Sequence, residues 1–203
     1  MAHPFFETIL LHPNLCASCN LNITALPEAW QSLKTPKAIV LGADPTNDGI
    51  SGKRGLIELD YVFGIGHKYE NIFWGAQKRN LSKIGLQIED IYAQNICRNY
   101  FKNQTAKNKT WQEVAEIWVP FLIEELSSIP SHVPVLASAE VIMKFLVKEL
   151  PEPETIYKWE KEYHFYSNKI DREILPLYRH PKYTMNKSIY PYKNYLKERF
   201  ENK

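Results

Sequence analysis

Two short stretches hold the residue types that hydrolytic chemistry needs. The first is Gly42-Ala43-Asp44-Pro45-Thr46-Asn47, directly after the apolar run Ala38-Ile39-Val40-Leu41. That run reads as a buried strand, and Gly and Pro end it sharply. Asp44 is thereby set at the carboxyl end of a strand, where open α/β sheets bind ligands. A carboxylate there either orients or deprotonates a water and steadies a developing cation, or simply caps the turn, as Asp in such turns commonly does. The second stretch, Arg179-His180-Pro181-Lys182-Tyr183, follows another apolar run, Ile174-Leu175-Pro176-Leu177-Tyr178. Its His either donates to a developing anion or lies at the surface with no chemical role. An Asp-Pro turn and a His-Pro turn, each after a strand, predict two loops on one edge of a sheet.

The elements that must carry those loops alternate in type. Strands are expected at 37–41, 90–96, 133–137 and 173–178. A helix is expected over 69–84, where Tyr69, Ile72, Phe73 and Ala76 share a face. A second starts at Thr110, which with Glu113 has the spacing of a capping box, and should kink at Pro120. A third begins at Ser138 and ends before Pro151, and a fourth opens at Pro191. Residues 1–35 read as an extension with one or two short helices, with Pro27-Glu28-Ala29-Trp30 as a helix start. Residues 46–62 read as a long polar loop, and 153–172 as a loop or hairpin insertion. Alternating strands and helices imply a parallel sheet with helices on both faces.

With 203 residues, 44% of them hydrophobic, the chain fits one domain spanning 1–203 and an ordinary globular composition. No apolar run approaches the ~20 residues of a membrane span, and the N-terminus lacks the pattern of a secretory leader. Three Cys is an odd number that argues against a disulfide framework and for a reducing cytoplasm. Net charge is only +2, but it is unevenly placed. Residues 98–109 hold four basic side chains and no acidic one, residues 179–203 hold seven against two Glu, and 149–162 is acidic. That asymmetry fits a basic face meeting phosphates, or else solvated loops and a basic C-terminal helix. There is no phosphate-binding P-loop and no H-E-x-x-H, and Gly64-Ile65-Gly66 lacks the third Gly of a dinucleotide fingerprint.

Taken in order, these segments resemble the uracil-DNA glycosylase superfamily. That family carries a first motif of the type GQDPYH and a last motif of the type HPSPLS. Their counterparts are Gly42-Ala43-Asp44-Pro45-Thr46-Asn47 and His180-Pro181-Lys182-Tyr183-Thr184. Between them, Tyr69-Glu70-Asn71-Ile72-Phe73 resembles the helix after the family's aromatic loop. Gln94-Asn95-Ile96 resembles the strand ending in a base-reading Asn, and Val133-Pro134-Val135-Leu136-Ala137-Ser138 the next strand and turn. The order and spacing match over residues 36–200.

The resemblance implies a three-layer α/β/α sandwich around a central four-stranded parallel sheet. It implies a monomeric DNA glycosylase that hydrolyses the N-glycosidic bond of uracil or a related damaged base in DNA, with no cofactor and no metal. Asp44 would position water and steady the sugar cation, and His180 would stabilise the leaving base. Gly42, Ala43, Pro45 and Thr46 would line the base pocket, Phe63 (or its rival Tyr61) would stack on the flipped base, and Asn95 would read its edge. Pro181, Lys182, Tyr183, Thr184 and Lys187 would meet DNA, with Tyr183 or Met185 as an apolar wedge. Thr46 replaces a bulky Tyr, which lowers the wall against a 5-substituent. Without the family context, capping fits Asp44, strand-end hydrogen bonding fits Asn95 and core packing fits Phe63.

One branch of the superfamily carries an iron–sulfur cluster on a C-x-x-C pair and two later Cys. Cys16 and Cys19 form such a pair, Cys97 lies near the third place, and Trp118 occupies the fourth. Three thiolates do not complete a four-thiolate cluster, so two small buried thiols is the simpler reading. A non-catalytic nucleic-acid or nucleobase binder, or another small-ligand enzyme on the same architecture, remains the alternative.

Overall fold

The computed structural model describes residues 3–47, 55–166, 168–183, 185 and 191–201. It is a mixed α/β fold built on one sheet. The strands are β1 (Trp30–Gln31), β2 (Ala38–Gly42), β3 (Ile91–Asn95), β4 (Val135–Ala137) and β5 (Ile174–Pro176), in the order β1-β3-β2-β4-β5. β2 pairs in parallel with β3 and β4, and β4 in parallel with β5. β1 is antiparallel to β3. Every residue of β2 to β5 is buried. Successive side chains point to opposite faces, so both faces are covered, as parallel sheets require.

The helices among the described residues are α1 (Pro4–Leu10), α2 (Pro13–Cys16), α3 (Glu70–Phe73), α4 (Gly75–Lys83), α5 (Trp111–Leu126), α6 (Glu140–Leu146), α7 (Pro153–Lys158) and α8 (Tyr192–Glu201). One contiguous cluster of buried side chains runs from Phe5 to Phe200. No helix among the described residues is long and apolar enough to cross a membrane.

The sheet has five strands where four were expected, because the segment around Trp30 is extended rather than helical. Glu28 donates its N–H to Asp60 and accepts from Val62, at 2.8 and 2.9 Å. Those backbone groups are thus spent on a neighbouring segment and are lost to a helix. The Trp30 indole donates to the Ile88 carbonyl at 3.3 Å.

The expected helix over 69–84 is broken at Trp74 (φ −110°), which ends α3 and precedes α4. The break lets Trp74 bury its indole completely, 4.8 Å from the Phe63 ring. No capping box forms at the start of α5: the Thr110 hydroxyl donates to Ser18 Oγ at 2.8 Å, so it ties the helix to the N-terminal extension. α5 also continues past Pro120, which sits on its exposed side.

The 153–172 segment contains α7, and its end anchors α5. The Arg172 guanidinium is buried and donates to the Leu126 and Ile129 carbonyls at 2.6 Å and to Pro130 at 2.8 Å. The Leu126 and Pro130 carbonyls also accept from the Ile129 and Val133 N–H groups, at 3.0 Å each, so the guanidinium adds a second bond at those two and serves the Ile129 carbonyl beyond the helix end.

Candidate active site

The strand order places a switch point at β2, because the chain goes from β2 to β3 on one side and then to β4 on the other. Ligands bind at such points, in the crevice beyond the carboxyl ends of the strands. A cavity of about 270 Å³ lies there. It is smaller than the ~300–1,000 Å³ typical of drug-sized ligands and suits one flat ring. The exits of β2, β3 and β4 line it through Gly42, Asp44, Asn95 and Ser138, and the segment after β5 adds Arg179.

Gly42 pairs with Asn95 across β2 and β3. A side chain at Gly42 could not fit: its Cβ would fall 2.0 Å from Asn95 Oδ1 and 2.8 Å from the Phe63 ring. The missing side chain is therefore what lets the Asn95 amide and the Phe63 ring close on the same space. Asn95 is 3% exposed, and its amide makes no hydrogen bond to a described residue. Its position is fixed from behind, where its backbone N–H donates to Gln94 Oε1 at 2.9 Å and Gln94 Nε2 donates to Glu125 at 3.0 Å. The side chain is thus largely enclosed while its amide stays open to the cavity, free to meet a ligand there.

Phe63 holds the left-handed conformation, φ 58° and ψ 12°. Such strain in a bulky residue persists only where the surroundings enforce it, and it clusters at functional sites. The strain aims the ring into the cavity. Tyr61, its rival, instead packs edge-on against Trp30 at 5.7 Å and does not line the cavity.

Asp44 keeps a partly exposed surface toward the cavity while protein crowds its other sides. Its Oδ1 accepts from the Thr46 N–H at 3.0 Å, and its Oδ2 accepts from the Thr105 hydroxyl at 2.5 Å. Burial pushes the carboxyl pKa up, and the bonds from Thr105 and Thr46 oppose that shift. The Trp111 indole N–H also favours the ionised form of Asp44, yet it has no partner in hydrogen-bonding geometry. Asp44 therefore makes the turn bond expected of a capping residue and still presents its carboxylate to the cavity.

Ala43, Pro45 and Thr46 complete that wall. The Thr46 hydroxyl is not idle, since it accepts from the Phe101 N–H at 2.8 Å and ties the β2 exit to the 98–109 segment. Asn47 closes the far side of the loop, bonding to Ile57 through both ends of its amide at 2.9 and 3.0 Å.

His180 is placed elsewhere. It is exposed, its Nδ1 accepts from the Lys182 N–H at 3.2 Å, and it lines a neighbouring groove rather than the cavity of Asp44. Pro181, Lys182 and Tyr183 form a short 3₁₀ turn on that groove. Lys182 pairs with Glu154 at 2.9 Å. Tyr183 is half-buried against Tyr157, and Met185 is fully buried, so Met185 is core rather than wedge. Thr184 and Lys187 lie outside the described residues.

Two members of this constellation escape sequence reasoning. Thr105 is 61 residues from Asp44 and no local pattern links them. Arg179 precedes His180 and, among the described residues, carries the only positive charge on the cavity wall.

The thiols do not form a cluster site. Asn99 bridges the region, donating to Cys19 Sγ at 3.5 Å and accepting from the Trp118 indole at 2.8 Å. Trp118 itself stacks on Phe5 at 4.3 Å, so an indole committed to packing holds the place a fourth thiolate would need. Burial pushes the Cys19 thiol up to about 11 and Cys97 well above its ordinary value. Such thiols are poor nucleophiles. No group of three metal-ligating side chains occurs among the described residues.

Comparison of the chain with protein-family models finds no match, and comparison with curated protein sequences finds none either.

Proposed function

We propose that the protein is a uracil-DNA glycosylase-like enzyme of the cytoplasm, a three-layer sandwich that acts as a monomer on DNA. The observation that carries this reading is the Asn95 amide, held at a strand end with no bond to a described residue and open to the same cavity as Asp44 and Phe63. An amide both donates and accepts, which matches the O4 and N3–H of uracil and mismatches cytosine. Phe63 stacks on the flipped base.

The C1′–N1 bond breaks with its electron pair leaving on the base, and C1′ becomes cationic. Asp44 steadies that cation and takes a proton from the water whose oxygen then bonds C1′. The departing anion is met by the Asn95 N–H, and His180 joins only by crossing from its groove. Of the basic side chains in 98–109 and 179–199, Arg98, Lys182 and Arg199 are ion-paired, so the exposed Lys102, Lys107, Lys109 and Arg179 are the ones that hold the phosphates, and affinity falls steeply with salt.

Release of free uracil from labelled single- and double-stranded oligonucleotides tests the proposal. Release that depends on Asp44 supports it, and tight binding without release sinks the enzymatic part. The position of His180 outside the cavity favours that second outcome, a nucleobase-binding protein on the same framework.

A further inference from the structure

A groove of about 720 Å³ adjoins the cavity. The two share Ile72, Phe73, Ser138, Ala139 and Arg179, so they are two compartments of one trench with a common wall. Phe73, Ala76, Tyr178 and Tyr183 give the groove flat, apolar sides. Its other charged side chains are already engaged: Glu140 pairs with Lys144 at 2.5 Å and Lys182 with Glu154 at 2.9 Å. Arg179 is different. Among the described residues it is the only charged one on the common wall, it is exposed, and it forms no ion pair with a described residue. An apolar slot beside a base-sized cavity, with an uncommitted guanidinium between them, matches two adjacent nucleotides joined by a phosphate. Aromatic platforms flanked by cations hold unpaired bases in just this way.

We infer that the groove is a second nucleotide subsite: it takes the unpaired base next to the one in the cavity, while Arg179 takes the phosphate between them. The substrate class is then single-stranded DNA, since a neighbour held in a duplex could not leave its partner to enter the groove. This rests on the proposed function for the identity of the cavity's occupant. It adds a requirement for one particular neighbour.

Fluorescence anisotropy with five-nucleotide probes tests it. One probe carries uracil with both neighbours intact; two others carry an abasic site on either side. Loss of one neighbour, and one only, should weaken binding at least about 5-fold, the lower end for a stacked base. Ala76→Trp fills the groove without touching the cavity and should abolish that difference. Arg179→Ala should reduce the salt slope of single-strand binding by about 0.7, the share of one phosphate. Indifference to both neighbours, an unchanged difference in Ala76→Trp, or duplex binding as tight as single-strand binding would each overturn the subsite. Uracil release from the same probes reads the enzymatic proposal separately. A neighbour effect without release leaves the subsite standing, and release without a neighbour effect removes it.

Discussion

The loop leaving β2 and the loop after β5 lie on the same edge of the sheet and are built on opposite plans. In the first, Asp44, Thr46 and Asn47 are all committed to hydrogen bonds that reach Thr105, Phe101 and Ile57. In the second, Arg179, His180 and Lys182 stand exposed, and the His180 ring meets the Lys182 N–H and the Tyr183 ring of its own turn. A group that must meet a reacting atom gains from being fixed in advance, because no reorganisation is left for the moment of reaction. A loop that meets a polymer gains from adjusting to it. On this reading chemistry belongs to the β2 exit and grip to the segment after β5.

The sharpest test is Asp44→Asn, which should lower turnover at least ~10²-fold, the effect of a positioned acid or base. It should also raise the melting temperature at neutral pH. The native carboxyl binds its proton more tightly than the unfolded one, so stability falls as pH rises from the ordinary value near ~3.9 through the raised one. The amide removes that loss and still serves both neighbours, accepting from Thr46 and donating to Thr105. Calorimetry across pH checks the sign: the gain should vanish in acid.

Next in size is Gly42→Ala. The added methyl collides with Asn95 Oδ1, and a displacement of ~1 Å at a reacting site costs about 10²-fold. Turnover and base affinity should fall together while Asp44 is untouched, as steady-state kinetics and free-uracil binding would show.

Thr105→Ala should cost about 10-fold near neutrality. The lost bond favours the ionised carboxyl, so the acidic limb of the pH–rate profile should move to higher pH, and Thr105→Ser should restore it. Carbon-13 titration of the Asp44 carboxyl reads the same shift without turnover.

His180→Ala should have the smallest effect, only a few-fold, with its change in affinity rather than turnover. A loss as large as that of Asp44→Asn would show that His180 enters the cavity in the complex and would erase the contrast between the two loops.

The sequence makes visible whatever depends on a local run. The four parallel strands follow from apolar segments, and the strand-end loops follow from Gly42, Pro45 and Pro181. It hides what depends on pairing at a distance. Trp30 follows a Pro that suits a helix start, yet its neighbours bond to residues 60–62, and no local pattern announces that. The 69–84 segment has a helical face throughout, but burying Trp74 outweighs an unbroken helix. In the site, Gly42 and Asp44 are legible because they end a run of distinctive composition, whereas Phe63 and Asn95 enter through the family resemblance alone, since an aromatic and a strand-end Asn otherwise look like core and backbone partners. Thr105 and Arg179 are not legible, because a hydroxyl in a polar loop and an Arg in a basic one look like solvated surface.

The arrangement around Asn99 bears on how the protein can be followed in solution. Cys19 and Cys97 are 1% and 0% exposed, with thiols held protonated, while Cys16 reaches solvent at the end of α2. The native chain thus carries a single addressable thiol on the N-terminal extension, outside the cavity lined by Asp44 and Asn95. A maleimide dye should attach there in one equivalent, giving a reporter of DNA docking with no cysteine added or removed.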